Sequence, residues 1–94
     1  MAHALVSTVN LEGRDVAEAE KILNEQVVPA IKQVPGFQRG VWLRSADGKT
    51  GMGIAVFESE QHAQSALEGM PAMRPAGAPP ITSSEIYAVT GLAL

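Results

Sequence analysis

Two hydrophobic patterns alternate along the chain, a short-range alternation and a three-to-four-residue recurrence, and their order predicts the elements. His3 to Leu11, HALVSTVNL, is rich in Val, Leu and Thr and short enough for a strand. Glu12-Gly13-Arg14 punctuates it, and Asp15 with Glu18 three residues later forms a capping box. From Val16 onward Ala19, Leu23, Val27 and Ala30 fall three or four apart, flanked by Ile22, Ile31 and Val34. With Glu18, Glu20, Lys21, Asn24 and Glu25 opposite, this predicts an amphipathic helix of about five turns. Pro29 predicts a kink near its end, and Val34-Pro35-Gly36 stops it. Phe37 to Ser45 and Thr50 to Phe57 read as two strands, joined at Asp47-Gly48 by a two-residue type I′ turn. Ser59 caps a second helix carrying Ala63, Ala66, Leu67 and Met70. Residues 71–83, PAMRPAGAPPITS, hold four prolines and read as mostly loop; Glu85 to Leu92 is the last strand. The order βαββαβ predicts an α+β, ferredoxin-like domain over residues 1–94: a four-stranded antiparallel sheet with two helices on one face.

A two-residue loop at Asp47-Gly48 also sets the register of the hairpin. On one face Val41 opposes Ile54, Leu43 opposes Met52 and Arg39 opposes Val56. On the other, Trp42 opposes Gly53, Arg44 opposes Gly51, Gly40 opposes Ala55 and Gln38 opposes Phe57. The first face is aliphatic; the second is a low floor of small residues with Trp42 standing over it. An aromatic across from a strand glycine covers bare backbone, so Trp42 reads either as that cover or as the wall of a volume above the floor. Arg44 and Gln38 are poor partners for a helix layer. The expectation is therefore that the helices cover the aliphatic face, leaving Trp42 and Arg44 above an open one. The alternative is the reverse: small residues admit the helices, and the aliphatic face is buried in a dimer.

Composition narrows the picture. Only four of the 94 residues are aromatic although 46% are hydrophobic, so Val, Ile, Leu, Ala and Met must build the core. A chain this small with one uncovered sheet face completes its burial by oligomerising, which predicts a homodimer through the open face. A net charge of −3 and scattered Lys and Arg argue against nucleic acid. The absence of cysteine excludes disulfides and thiolate chemistry and fits a cytoplasmic protein. MAHALVSTVN lacks the basic and long apolar regions of a signal peptide, and no apolar run is long enough to span a membrane.

The usual catalytic patterns are missing. No serine sits in a triad context, and Ser59 is better explained as a cap. His3 and His62 form no metal-binding pair, so no metal is expected, and the position of His62 on its helix predicts a solvent-facing side chain. GKTGMG lies between strands and opens no helix, unlike a phosphate-binding loop. Stacking aromatics for RNA are absent from the central strands.

The block VPGFQRGVWLRSADGKTGMGIAVFESEQHAQSA resembles the central part of the dimeric α+β barrel proteins, specifically the antibiotic-biosynthesis-monooxygenase-like group. Pro35, Gly36, Phe37, Phe57, Glu58, Ser59, Glu60 and Ala63 carry the resemblance, in turns, caps and packing positions. It implies a homodimer whose cavities accept small apolar or aromatic molecules. It further implies a cofactor-independent monooxygenase or isomerase acting on an aromatic or polyketide-like substrate. Trp42 would then stack on the substrate, Arg44 and Asn10 would stabilise enolate charge, Tyr87 would supply a further hydrogen bond, and Gln38 would be a further ligand-binding residue, with residues 71–83 as a lid. A non-catalytic dimeric binder or stress-related protein is the alternative. The haem-degrading branch of the group uses an Asn on the first strand, a Trp on the second helix and an axial His near that helix's end. Asn10 lies near the first position, but no Trp occurs between Ser59 and Pro80, and His62 falls in the first turn. No haem and no other cofactor is expected.

Overall fold

The alternating segments form four strands in a computed structural model that describes residues 1–93. They are β1 (His3–Asn10), β2 (Phe37–Arg44), β3 (Thr50–Phe57) and β4 (Ile81–Ala88). They make one antiparallel sheet in the order β2-β3-β1-β4, the ferredoxin-like arrangement. The helices are α1 (Val16–Ile22), α2 (Val28–Ile31) and α3 (Glu60–Met73). Between α1 and α2, Leu23–Val27 form a π-helical turn, so the predicted first helix is one continuous rod with a widened middle.

That turn is how the chain accommodates Pro29, at the first turn of α2. A proline ring crowds the carbonyl four residues back and offers no N–H. Widening the preceding turn shifts the bonding to i+5, as in Val28 N–H to Leu23 O. The predicted kink is thus a π-turn just before the proline. The caps match the sequence pattern: Asp15 accepts from the Glu18 amide and Ser59 from the His62 amide. Two boundaries differ from the loop expected over 71–83. The helix α3 runs through Pro71 to Met73, with the proline inside its last turn. Strand β4 begins at Ile81, where Thr82 and Ser84 bond across to β1 (Thr82 Oγ1 to Thr8 O at 3.2 Å; Ser84 Oγ to Ser7 Oγ at 3.1 Å).

The hairpin register is as predicted from Arg39 to Arg44, with Trp42 opposite Gly53 and Arg44 opposite Gly51. Its turn differs. Only Gly48 has positive φ (75°), so the type I′ geometry is absent. A four-residue loop closes on Ser45 N–H to Thr50 O (2.8 Å), and Asp47 Oδ1 accepts from Ser45 Oγ (2.6 Å) and the Lys49 amide (3.0 Å). These bonds, led by that from Ser45, hold the Asp47 carboxyl below its ordinary range. At the other end a bulge between Phe37 and Arg39 places Phe37, not Gln38, opposite Phe57.

The two sheet faces are the reverse of the expectation. Leu5, Ala55 and Phe57 pack with Ile31, Ala63 and Ala66 of the helices, and Trp42 lies against this cluster. Phe57 is wholly buried, its ring edge-on to Phe37 with centroids 6.0 Å apart. The glycine floor therefore lies beneath the helices, and the aliphatic residues Val41 (48% exposed) and Leu43 (50%) lie on the open face. The argument from Arg44 fails because α1 supplies its partner: Arg44 Nη1 is 3.5 Å from Glu20 Oε2.

Candidate functional site

A half-enclosed cavity of about 550 Å³ lies between the sheet and the first helical rod. Its floor is made by residues that bring almost no side chain: Gly40, Gly51, Gly53 and Ala55. Trp42 lies flat across this floor. A Cβ on Gly40 would stand 2.9 Å from the ring's Cη2, and one on Gly53 would stand 2.7 Å from Nε1. Gly51 is covered instead by Val9, whose Cγ2 would meet a Cβ there at 2.8 Å. Ala19, Ile22, Leu23, Val27 and Ile31 form the roof, the apolar stripe read from the sequence. Met70 and Met73 of α3, with Pro75, Ala78 and Pro79, close one end.

Few polar groups enter this apolar space. Glu20 and Asn24, one turn apart on the rod, line it together with Ser7, Trp42, Arg44 and Arg74. Glu20 pairs with Arg44, both about half exposed, and the Glu20 carbonyl accepts from Asn24 Nδ2 at 2.8 Å. Ser7 Oγ contacts Ser84 Oγ at 3.1 Å and Met70 Sδ at 4.0 Å. Arg74 donates to the Pro79 carbonyl, while Arg14 Nη1 donates to the Gly77 carbonyl at 3.2 Å. Burial, and then the nearby Arg14 charge, lower the pKa of Arg74.

Of the five candidates from sequence, Trp42 and Arg44 line the cavity. The other three lie elsewhere. Asn10 ends β1 exposed, its Oδ1 accepting from the Glu12 amide at 2.9 Å in a local turn. Gln38 sits exposed in the β2 bulge. Tyr87 is on the open face, 51% exposed, and bonds Glu85, which raises its pKa. In the sequence Glu20 and Asn24 belong to the polar face of the first helix, and no pattern singles out Ser7. Their i, i+4 spacing showed that Glu20 and Asn24 share a face, but nothing in the sequence showed that Arg44 would meet it.

His62 belongs to a different place. Its Nδ1 is 2.6 Å from Ser59 Oγ and its Nε2 3.7 Å from Glu58 Oε1, and its ring lies against Gly36, where a Cβ would stand 2.5 Å from Cγ. It is a half-exposed capping residue that packs on a glycine. Among the described residues no group of three metal-ligating side chains occurs, and no helix is long and apolar enough to cross a membrane.

The whole backbone superposes on proteins of known structure. SnoaB of Streptomyces nogalater, a cofactor-independent oxygenase, matches with a TM-score of 0.72 at 19% identity, over 97% of this chain and 95% of its own. The chain shares its fold with these structures, among them proteins described as antibiotic biosynthesis monooxygenases. The fold recurs in the ActVA-Orf6 monooxygenase of Streptomyces coelicolor, solved with nanaomycin D (TM-score 0.64, 23% identity, 99% and 91% covered). It recurs also in the heme-degrader MhuD of Mycobacterium tuberculosis, solved with two hemes (TM-score 0.72, 20% identity, 99% of each chain). No protein-family sequence model and no curated protein sequence matches the chain. The cavity lining includes Met70 and Met73 and, among the described residues, no histidine, cysteine or tyrosine.

Proposed function

We propose that the chain is a cofactor-independent monooxygenase acting on a small aromatic, polyketide-like molecule held between the glycine floor and the first helical rod. The observation that carries this reading is the cavity itself. It has the volume of a small-ligand site, an apolar lining and a few convergent polar groups, and it lies across a tryptophan in a fold shared with oxygenases. A flat ring can stack on Trp42, which offers an aromatic face already fixed by Gly40 and Gly53. An electron-rich phenolate or enolate reduces O₂ itself, so the protein's part is to favour the deprotonated substrate and exclude water. Arg44 is placed to stabilise the developing oxyanion, and Glu20, at 3.5 Å from it, to take the proton. The chain acts as a homodimer, with the exposed Val41, Leu43 and Met52 face covered by a second copy.

A second reading, a non-catalytic binder, is favoured by one feature: the only carboxylate in the lining is half exposed and already ion-paired. Oxygen uptake with a tricyclic anthrone separates the two. The oxygenase consumes O₂ and forms the quinone without added metal or flavin, and Trp42→Ala slows it at least tenfold, the cost of a lost stacking contact plus misplacement. Binding of the anthrone without oxygen uptake above the uncatalysed rate would overturn the catalytic reading in favour of the binder.

A further inference from the structure

The cavity's charge does not match the charge of the chain. Its lining contains three charged side chains, Glu20, Arg44 and Arg74. Glu20 and Arg44 neutralise each other at 3.5 Å. Arg74 is left over, so the lining carries one net positive charge (two Arg less one Glu) in a protein whose net charge is −3. Arg74 is partly buried at the end of α3 and, among the described residues, pairs with no carboxylate. A guanidinium cannot shed its proton to escape burial, and a partly desolvated cation without a counter-ion is costly.

A second cation stands beside it. Arg14, just before α1, and Arg74, at the end of α3, donate to the same short segment, to the carbonyls of Gly77 and Pro79 respectively. Each bond uses one N–H of a guanidinium that has five, so both retain donors. The nearest acid in sequence to Arg14 on its helix side, Asp15, has one oxygen engaged by the Glu18 amide as the α1 cap. Arg74 lines the cavity, and the exposed Arg14 beside the same segment adds to the positive potential at that end; among the described residues neither forms an ion pair.

We propose that the ligand of this cavity is an aromatic acid, with its ring on Trp42 and its carboxylate at Arg74, and with Arg14 raising the local positive potential. This rests on the cavity being the ligand site, and it adds the chemical class: a flat apolar body carrying one anionic group, preferred over its neutral counterpart. Charge-assisted hydrogen bonds from a planar fork to a carboxylate are the strong, geometrically selective kind.

The test is a matched pair of probes, naphthoate and the neutral naphthamide, titrated calorimetrically into the full chain. Naphthoate should bind about tenfold more tightly, as one charge-assisted bond implies, and the preference should shrink in high salt. Arg74→Met should lower naphthoate affinity about tenfold and naphthamide affinity by a smaller factor, so that the preference is lost while naphthamide binding still reports an intact cavity. Arg74→Lys should restore part of the preference, and Arg14→Met, which leaves Arg74 in place, should reduce it by a smaller factor. Equal binding of the two probes, or a preference that survives Arg74→Met, overturns the aromatic-acid proposal alone. If neither probe binds, the cavity reading falls and this proposal with it.

Discussion

Met52 and Gly53 are neighbours in β3, yet they belong to opposite worlds. Gly53 lies under Trp42 and the helices, while Met52 shares the open face with Val41, Leu43 and Tyr87, all more than a third exposed. Along the β2-β3 hairpin the covered face carries Gly40, Gly51, Gly53 and Ala55 around Trp42, while the open face carries Val41, Leu43, Met52 and Ile54. An aliphatic run on a hairpin therefore does not identify the buried face of the sheet. The glycines remove volume at the sheet so that a helical rod, an indole and a cavity all fit above it. The aliphatic face is continuous enough to be covered by another sheet.

Removing bulk from the covered face should have the largest effect. Phe57→Ala, at a wholly buried ring, should cost about 3–5 kcal/mol of unfolding free energy in urea titrations followed by circular dichroism. A loss below about 1 kcal/mol would mean that the helix-covered face is not the core. Adding bulk to the same face comes next. Gly53→Ala puts a methyl 2.7 Å from the indole nitrogen, and should cost about 1–3 kcal/mol as the ring is forced off the floor. The open face should behave in the opposite sense. Leu43→Lys should change monomer stability by less than about 0.5 kcal/mol. In sedimentation velocity it should weaken self-association by at least about tenfold, because an unpaired charge is buried in the contact. A variant that destabilises the monomer as much as Gly53→Ala would erase the distinction between the faces.

Much of this was written locally and so was legible. Asp15 and Ser59 announce the two helix starts, and the 3.6-residue stripe from Ala19 to Ile31 gives the cavity roof. The register from Arg39 to Arg44 follows from the turn position alone, and it holds even though the turn has four residues, because a symmetric loop about Asp47-Gly48 keeps the same pairs opposed. What was not legible depends on partners distant in sequence. Arg44 looks like a poor neighbour for a helix layer until Glu20 arrives from α1. Arg74 looks like part of a proline-rich loop until Arg14 and the Pro79 carbonyl define its place. Asn10, Gln38 and Tyr87 failed to join the site for local reasons: a strand-end turn, a bulge and an outward register position. Pairing parity fixes which residues share a face, but not which face the helices choose. That choice is a packing event between elements.

Trp42 is the chain's one indole, and the fold lays it on the cavity floor with its ring pinned between Gly40 and Gly53. Its fluorescence therefore comes entirely from the place where a ligand would rest. A stacked aromatic guest would quench that emission, and a mere surface binder would leave it unchanged. The molecule carries its own optical gauge of whether the cavity is occupied.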